Sequence, residues 1–235
     1  MTGANKGLGL ETARQLTRQG VFVIFTARNG ERLRQTEELG LEGDFILLDV
    51  TDPESIARAA REVEAKYGRL DILINNAGIA SEMARPPINN SVDIPIGLMR
   101  EVFETNVFGV IAVTQAMLPL LRKSEAGRIV NLSSGLGSLA QHSDSAWPLY
   151  HLKTLAYNSS KAALNQFTVH LAAALSGTGI KVNSVSPGWA RTDLGGPYAP
   201  LSPEEGAMII VRAALLGEDG PTGRFFTHDM QGIPW

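Results

Sequence analysis

Cysteine is absent from the chain, which excludes a disulfide scaffold, a thiolate-ligated metal and a cysteine nucleophile. Long apolar runs are missing too, and none approaches the ~20 residues that span a bilayer. No basic segment leads into an apolar stretch at the front, so no secretory leader is expected. Charged residues make up only 19%, with a formal net charge of -3. That balance offers no basic surface to nucleic acid, and neither a nucleic acid nor a membrane is an expected partner. One further shortage lies at the start. A glycine-rich loop opens at Thr2-Gly3 with only Met1 ahead of it, where a strand would be expected.

What remains is globular. Hydrophobic residues are 44% of 235, enough for one substantial core. No repeat or low-complexity linker divides the sequence, so a single domain over 1–235 is expected. Strand-like apolar runs alternate with longer helical patterns. The runs are Val21 to Thr26, Phe45 to Leu48, Asp71 to Ile74, Arg128 to Leu132, Lys181 to Val185 and the short Phe225-Phe226. Between them, helices are predicted over Leu10 to Arg18, Glu31 to Leu39, Asp52 to about Lys66, Gly97 to Leu121, Tyr157 to Leu175 and from Ser202 onward. Asp52-Pro53-Glu54 reads as N-cap, first residue and first-turn acid. Pro119 is expected to break the long fourth helix near its end. Alternating strands and helices imply right-handed crossovers and a parallel sheet covered on both faces. The expected fold is α/β, a three-layer α/β/α, Rossmann-like doubly wound sheet with its first strand missing, and its ligands sit at the carboxyl ends of the strands.

The loop Gly3-Ala4-Asn5-Lys6-Gly7-Leu8-Gly9 has the spacing G-x-x-x-G-x-G and opens a helix. Glycines let a pyrophosphate approach the backbone N–H groups, and the helix N-terminus presents positive charge to it. At the end of the next strand, an acid would bind a ribose 2′-hydroxyl and a base a 2′-phosphate. The strand ends Thr26-Ala27-Arg28-Asn29, with no acid. Arg28 can fork onto a phosphate, and Lys6 adds a point charge. Both favour NADP(H) over NAD.

Four further stretches follow in order: Asn75-Asn76-Ala77-Gly78 after the third strand, Asn106 in the long helix, Ser133-Ser134 after the fourth strand, and Tyr157-x-x-x-Lys161. Together with the glycine loop and Pro187-Gly188, this set resembles the short-chain dehydrogenase/reductase family across essentially the whole chain. The Asn5 to Leu10 loop and the Thr26-Ala27-Arg28 ending look most like its NADPH-dependent carbonyl reductases. The resemblance implies an enzyme moving a hydride between NADP(H) and a small carbonyl or alcohol in the cytoplasm. It places Asp49 and Val50 beside the adenine, although Asp49 could simply begin a turn. It places Asn76, Ala77 and Gly78 along the cofactor, and Pro187, Gly188 and Thr192 around the nicotinamide. The family most often forms dimers or tetramers through its two long helices, so a homodimer or homotetramer is a possible state.

The resemblance also implies roles. Tyr157 and Lys161, at i and i+4, share a helix face. Tyr157 would be general acid and base, with its high pKa lowered by the Lys161 ammonium together with the positive nicotinamide of the oxidised cofactor. Ser134 would hydrogen-bond the carbonyl oxygen; Ser133 is the competing hydroxyl, and family motifs place the active serine second. Lys161 would also contact the ribose, and Asn106 would hold a water in a proton relay. His142, His151, His170 and His228 show no metal spacing, and no metal is expected. A non-catalytic, redox-sensing dinucleotide binder is the alternative, and the intact tetrad speaks against it.

Three segments carry no motif: Ala80–Pro95, the extra stretch Gln141–Leu155 between Ser134 and Tyr157, and Gly188–Pro200, which resembles a substrate lid. The extra stretch could wall the substrate cleft or cover an association helix. The missing strand is expected to be central. Its loss would leave two neighbouring strands with unpaired backbone groups and loosen the phosphate loop, so Met1 is expected to be a mis-set or shortened start and NADPH binding to be weak.

Overall fold

The computed structural model describes residues 1–83 and 91–235. Six parallel strands form in chain order: β1 Ile24–Ala27, β2 Asp44–Leu47, β3 Ile72–Asn75, β4 Arg128–Leu132, β5 Lys181–Val185 and β6 Arg224–Phe226. The helices are α1 Gly7–Arg18, α2 Gly30–Glu37, α3 Pro53–Tyr67, α4 Ile96–Phe103, α5 Gly109–Leu121, the short α6 Leu139–Ser143, α7 Leu155–Ala174 and α8 Pro203–Ala214. This is the α/β architecture that the strand–helix alternation predicts. The central strands are buried on both faces, with apolar residues interrupted by buried polar ones such as Asn75, Asn131, Asn183 and Ser184. Successive side chains point to opposite faces. Leu73 and Ile129 enter one cluster with α3 and α5, while Ile74 and Val130 enter another with α1 and α8.

Local chemistry explains several helix ends. Asp52 accepts the Glu54 N–H to start α3, and Gly68 ends that helix in the left-handed conformation at φ 70°. Ser202 and Glu205 form a reciprocal capping box at α8. The break expected at Pro119 does not occur; α5 runs through it to Leu121. A proline costs one backbone hydrogen bond there without ending the helix. The deformation lies earlier, in a π-helical turn at Glu104–Phe108 that carries the buried Asn106. The continuous helix Ile96–Leu121 is long and apolar enough to cross a membrane by length and composition, and half of its apolar window is buried inside the domain. Arg100, Glu101 and Glu104 interrupt the apolar run, which is why no such run shows in the sequence.

No strand precedes α1, and the sheet is divided there. β2 and β1 form one part and β3-β4-β5-β6 the other. The strands flanking this division were expected to face it with unpaired groups. The structure differs, because residues 1–4 thread the gap. The Met1 amine donates to Ile24 O at 2.9 Å, Thr2 N to Ile74 O at 3.0 Å and Ala4 N to Thr26 O at 2.9 Å. The Thr26 hydroxyl donates to Met1 O at 3.1 Å. This short segment does not fill the space of a strand. An apolar cavity of about 30 Å³ remains, lined among others by Met1, Ile24, Ile46, Leu73, Val113 and Met117.

Burial pushes the Met1 amine down from 8.0 to about 5. The unfolded chain therefore holds this proton between pH 5 and 8 while the folded chain does not, so this group makes stability rise with pH across that window. Fusing five β-branched residues ahead of Met1 turns the amine into an amide and offers side chains to the cavity. The fusion is expected to raise Tm by several degrees, flatten the stability slope between pH 5 and 8, and lower the Kd for NADPH. Thermal melts across that range and a cofactor titration check this; equal Tm and Kd with and without the extension would refute it.

Candidate active site

The candidate residues converge at the carboxyl ends of the strands. The glycine loop is held against the end of β3 by side chains. Thr2 Oγ1 accepts from Asn76 N and Ala77 N at 2.9 and 3.0 Å. Asn76 Nδ2 donates to the carbonyls of Thr2 and Gly3, both at 2.9 Å. Gly9 is required by this closeness, since a Cβ on it would meet Gly3 O at 2.3 Å. Asn75 spans β3 to β4, donating to Asn131 Oδ1 at 2.8 Å and to Thr114 Oγ1 on α5 at 3.0 Å.

At the mouth of this loop, α1 begins at Gly7 with no side-chain cap from Lys6 and no acid in its first turn. That contrasts with α2, α3 and α8, which Asn29, Asp52 and Ser202 cap. The arrangement fits a dinucleotide phosphate, which would take the uncapped N–H groups. Asn5 and Leu8 lie within the same loop and first turn. Arg28 is exposed just past the end of β1. Lys6, also exposed, is ion-paired with Asp193. Burial of Asp49 is partial, and its carboxylate accepts from Thr51 N at 2.9 Å and Thr51 Oγ1 at 2.7 Å, so it does begin a turn. The neighbouring Val50 is buried and packs against Gly109 on α5.

Tyr157 and Lys161 lie one turn apart on α7 and are 7% and 4% exposed. Lys161 Nζ donates to Leu132 O at the end of β4 at 2.7 Å and stands 5.5 Å from the Tyr157 ring centre. Ser134, in the loop after β4, stands beside Tyr157 and acts to lower the proton affinity of its hydroxyl, and it accepts from Leu136 N at 3.2 Å. Ser133 is buried elsewhere, its hydroxyl without a partner among the described residues. Asn106 Oδ1 accepts from Ile79 N, and its Nδ2 donates to Ile79 O and to Ser160 Oγ, at 2.9, 2.9 and 3.0 Å. This side chain ties the loop after β3 to α7. A side chain at Gly78 would come within 3.3 Å of Asn106 Oδ1 and 3.5 Å of Lys161 Nζ, so glycine keeps the ground between them clear.

The electrostatics differ from the expectation that Lys161 lowers the tyrosine pKa. Burial dominates and pushes Tyr157 up to about 12; Ser134 works against this and Glu82 adds to it. Lys161 is itself pushed down to about 8 by burial. Both groups are therefore held toward their neutral forms by lost hydration.

Around the mouth, Gly188 follows Pro187 at φ 76° and turns the chain after β5 toward the glycine loop. Thr192 lies against Gly7, its methyl 3.4 Å from where a Gly7 Cβ would be. The extra stretch packs on itself. Lys153 Nζ donates to His142 O at 2.8 Å and sits 3.9 Å over the Tyr150 ring. Trp147 meets His142 edge-on and approaches the backbone of Gly135, beside Ser134. Pro86 and Pro87 of the Ala80–Pro95 loop lie outside the described residues. Sequence reasoning missed Glu82, whose carboxylate accepts the Tyr157 N–H at 2.7 Å. It also missed Ser160, and the tail contact in which the Ser138 hydroxyl donates to Pro234 O. No motif marks these positions.

Comparison with known proteins gives the same family. The family model for short chain dehydrogenase matches residues 1–200. The chain is 40% identical to the short-chain dehydrogenase anuI of Penicillium roqueforti, covering 92% of this chain and 88% of that one. It is 34% identical to carbonyl reductase [NADPH] 1 of Mus musculus, covering 100% and 97%. The NADPH-bound carbonyl reductase from chicken fatty liver superposes with a TM-score of 0.85 at 30% identity, covering 99% and 96%. The chain belongs to the short-chain dehydrogenase family, a family of oxidoreductases.

Proposed function

We propose that this chain is an NADP-dependent carbonyl reductase acting on small molecules through one domain spanning 1–235. The observation that carries the reading is a buried tyrosine with Ser134 acting on its hydroxyl and a buried lysine one turn away, in a fold whose glycine loop can receive a dinucleotide. Its mouse and chicken relatives are named as NADPH carbonyl reductase and NADPH-bound carbonyl reductase.

NADPH supplies the hydride. The chain's own residues handle the oxygen and its proton. Ser134 Oγ hydrogen-bonds the carbonyl oxygen, holds it in reach and polarises it. Tyr157 Oη gives its proton to that oxygen and takes one back in alcohol oxidation. A tyrosine kept protonated by burial is ready for the reductive direction. Lys161, fixed by Leu132 O, holds the ribose and supplies positive charge beside the phenol. Asn106 keeps the loop after β3 on α7 and borders the ground next to Lys161 Nζ, where a relay to solvent would run. Asn76, Ala77 and Gly78 would line the cofactor. Pro187, Gly188 and Thr192 would flank the nicotinamide, and Asp49 and Val50 the adenine. Trp147 and its neighbours wall the substrate cleft.

Lys6 and Arg28 bind the 2′-phosphate, and Asp193 competes for Lys6. Asp193→Asn is therefore expected to lower KM for NADPH several-fold at low salt while leaving KM for NADH unchanged. Equal NADPH KM in both proteins would sink that assignment. For the chemistry, purified protein should oxidise NADPH with a panel of ketones, aldehydes and quinones. Tyr157→Phe is expected to lose about 10²-fold or more in kcat, with NADPH binding retained. Ser134→Ala should lose about 10²-fold. Wild-type turnover in Tyr157→Phe would end the mechanism.

A further inference from the structure

Helix α7 carries Tyr157 and Lys161, yet it starts without a cap of its own. The first N–H groups of a helix have no partner within it, and a side chain at the N-cap ordinarily accepts the one at the third position. Here the N-cap is Thr154, and its hydroxyl is spent donating to Asn158 Oδ1 at 2.8 Å. The third residue of the helix is Tyr157. Its amide is buried and donates instead to Glu82 Oε1 at 2.7 Å, from a 3₁₀ turn at Ser81–Met83 that lies 75 residues earlier.

Glu82 is an expensive choice for a cap. It is 1% exposed, and its Oε2 has no hydrogen-bond partner among the described residues. A buried carboxyl with one unsatisfied oxygen is costly in free energy. A serine or aspartate at position 154 could cap the helix locally without that cost.

We propose that Glu82 is a positioning residue for Tyr157. It caps the catalytic helix from across the chain, fixes the turn that carries the phenol, and places a carboxyl group whose negative charge opposes loss of the phenol proton. The proposal rests on the reading of Tyr157 as acid and base. Burial holds the Glu82 carboxyl above the usual carboxylate range, while the N–H groups of Tyr157 and Ala156 pull it back. Its charge holds Tyr157 toward the protonated form, against the effect of Ser134. Among the described residues, the other groups facing the pair are Lys161 from α7 and Ser134 from the loop after β4. From α4, Glu101 is near, accepting the Ser81 hydroxyl at 2.9 Å. The consequence is directional. Glu82 favours the tyrosine that donates to a carbonyl over the phenolate that accepts from an alcohol.

Glu82→Gln keeps the acceptor for the Tyr157 N–H and removes the charge; Glu82→Ala removes both. The test uses the full chain with NADP⁺ or NADPH and reads three things: the pH curve of alcohol oxidation, kcat against KM, and hydrogen exchange at the Tyr157 amide. In Glu82→Gln the rising limb of the oxidation curve should move down by about half a pH unit or more, with the Tyr157 amide still protected. In Glu82→Ala the amide should lose protection and kcat should fall about tenfold, with KM for NADPH near wild type. A purely structural residue would lower Tm and leave the pH curve in place. An unmoved curve in Glu82→Gln overturns the proposal, as does wild-type kcat in Glu82→Ala. Should Glu82→Ala fail to fold, the curve of Glu82→Gln decides alone. Should the wild-type protein turn over no carbonyl, the reading of Tyr157 fails. Amide protection then decides the cap: loss only in Glu82→Ala supports it, and equal exchange in all three proteins overturns it.

Discussion

Thr2 and Asn76 clasp each other across the division between the two parts of the sheet, and the cofactor side of the site hangs on that clasp. A glycine loop needs an anchor, because glycine gives the backbone freedom and no contacts of its own. No strand feeds this loop. Four hydrogen bonds of 2.9–3.0 Å tie it to the end of β3 instead. Through β3 the loop is linked to Asn75, and through Asn75 to β4 and α5. The end of β4 in turn provides Leu132 O for Lys161 and leads directly into Ser134. The glycine loop, Lys161 and Ser134 thus share one chain of contacts across the tops of two adjacent strands.

Lost hydration governs the other half of the site. Tyr157 and Lys161 are both buried, and burial moves their proton affinities in opposite directions, toward neutrality in each case. Two neighbouring groups then tilt the tyrosine: Ser134 toward the phenolate and Glu82 toward the phenol. The close packing of α7 against β5 and the loop after β4 is therefore also what holds Tyr157 and Lys161 toward their neutral forms. The pattern Tyr157-x-x-x-Lys161 promises a helix face with both groups on it. It does not say how dry that face is.

How much could be read from the residues varied with how local the cause was. Asp52 and Ser202 act on their own neighbours, so the starts of α3 and α8 were legible. β4 and β5 form over the predicted runs, where β-branched Ile129, Val130, Val182 and Val185 favour an extended, buried strand. The long helix was predicted with its fault at Pro119, because proline is the visible helix breaker. The fault instead lies at Glu104–Phe108, where Asn106 is drawn onto Ile79 and Ser160 from two other elements. Glu82 was invisible for the same reason, as its partner is 75 residues away and no periodicity links the two. Lys6 was read as a free charge for a phosphate, and only the folded chain brings Asp193 to it.

By itself, the sequence determined the α/β class, the order of strands and helices, the glycine loop and the set Asn106, Ser134, Tyr157 and Lys161. Each of these is encoded in residues close together or in a fixed order along the chain. Tertiary structure alone decided how residues 1–4 bridge the divided sheet, how dry the face of Tyr157 and Lys161 is, and which carboxyl group caps their helix. Those outcomes depend on distances between residues far apart in sequence, and on how completely water is excluded where they meet. Neither quantity is carried by local pattern.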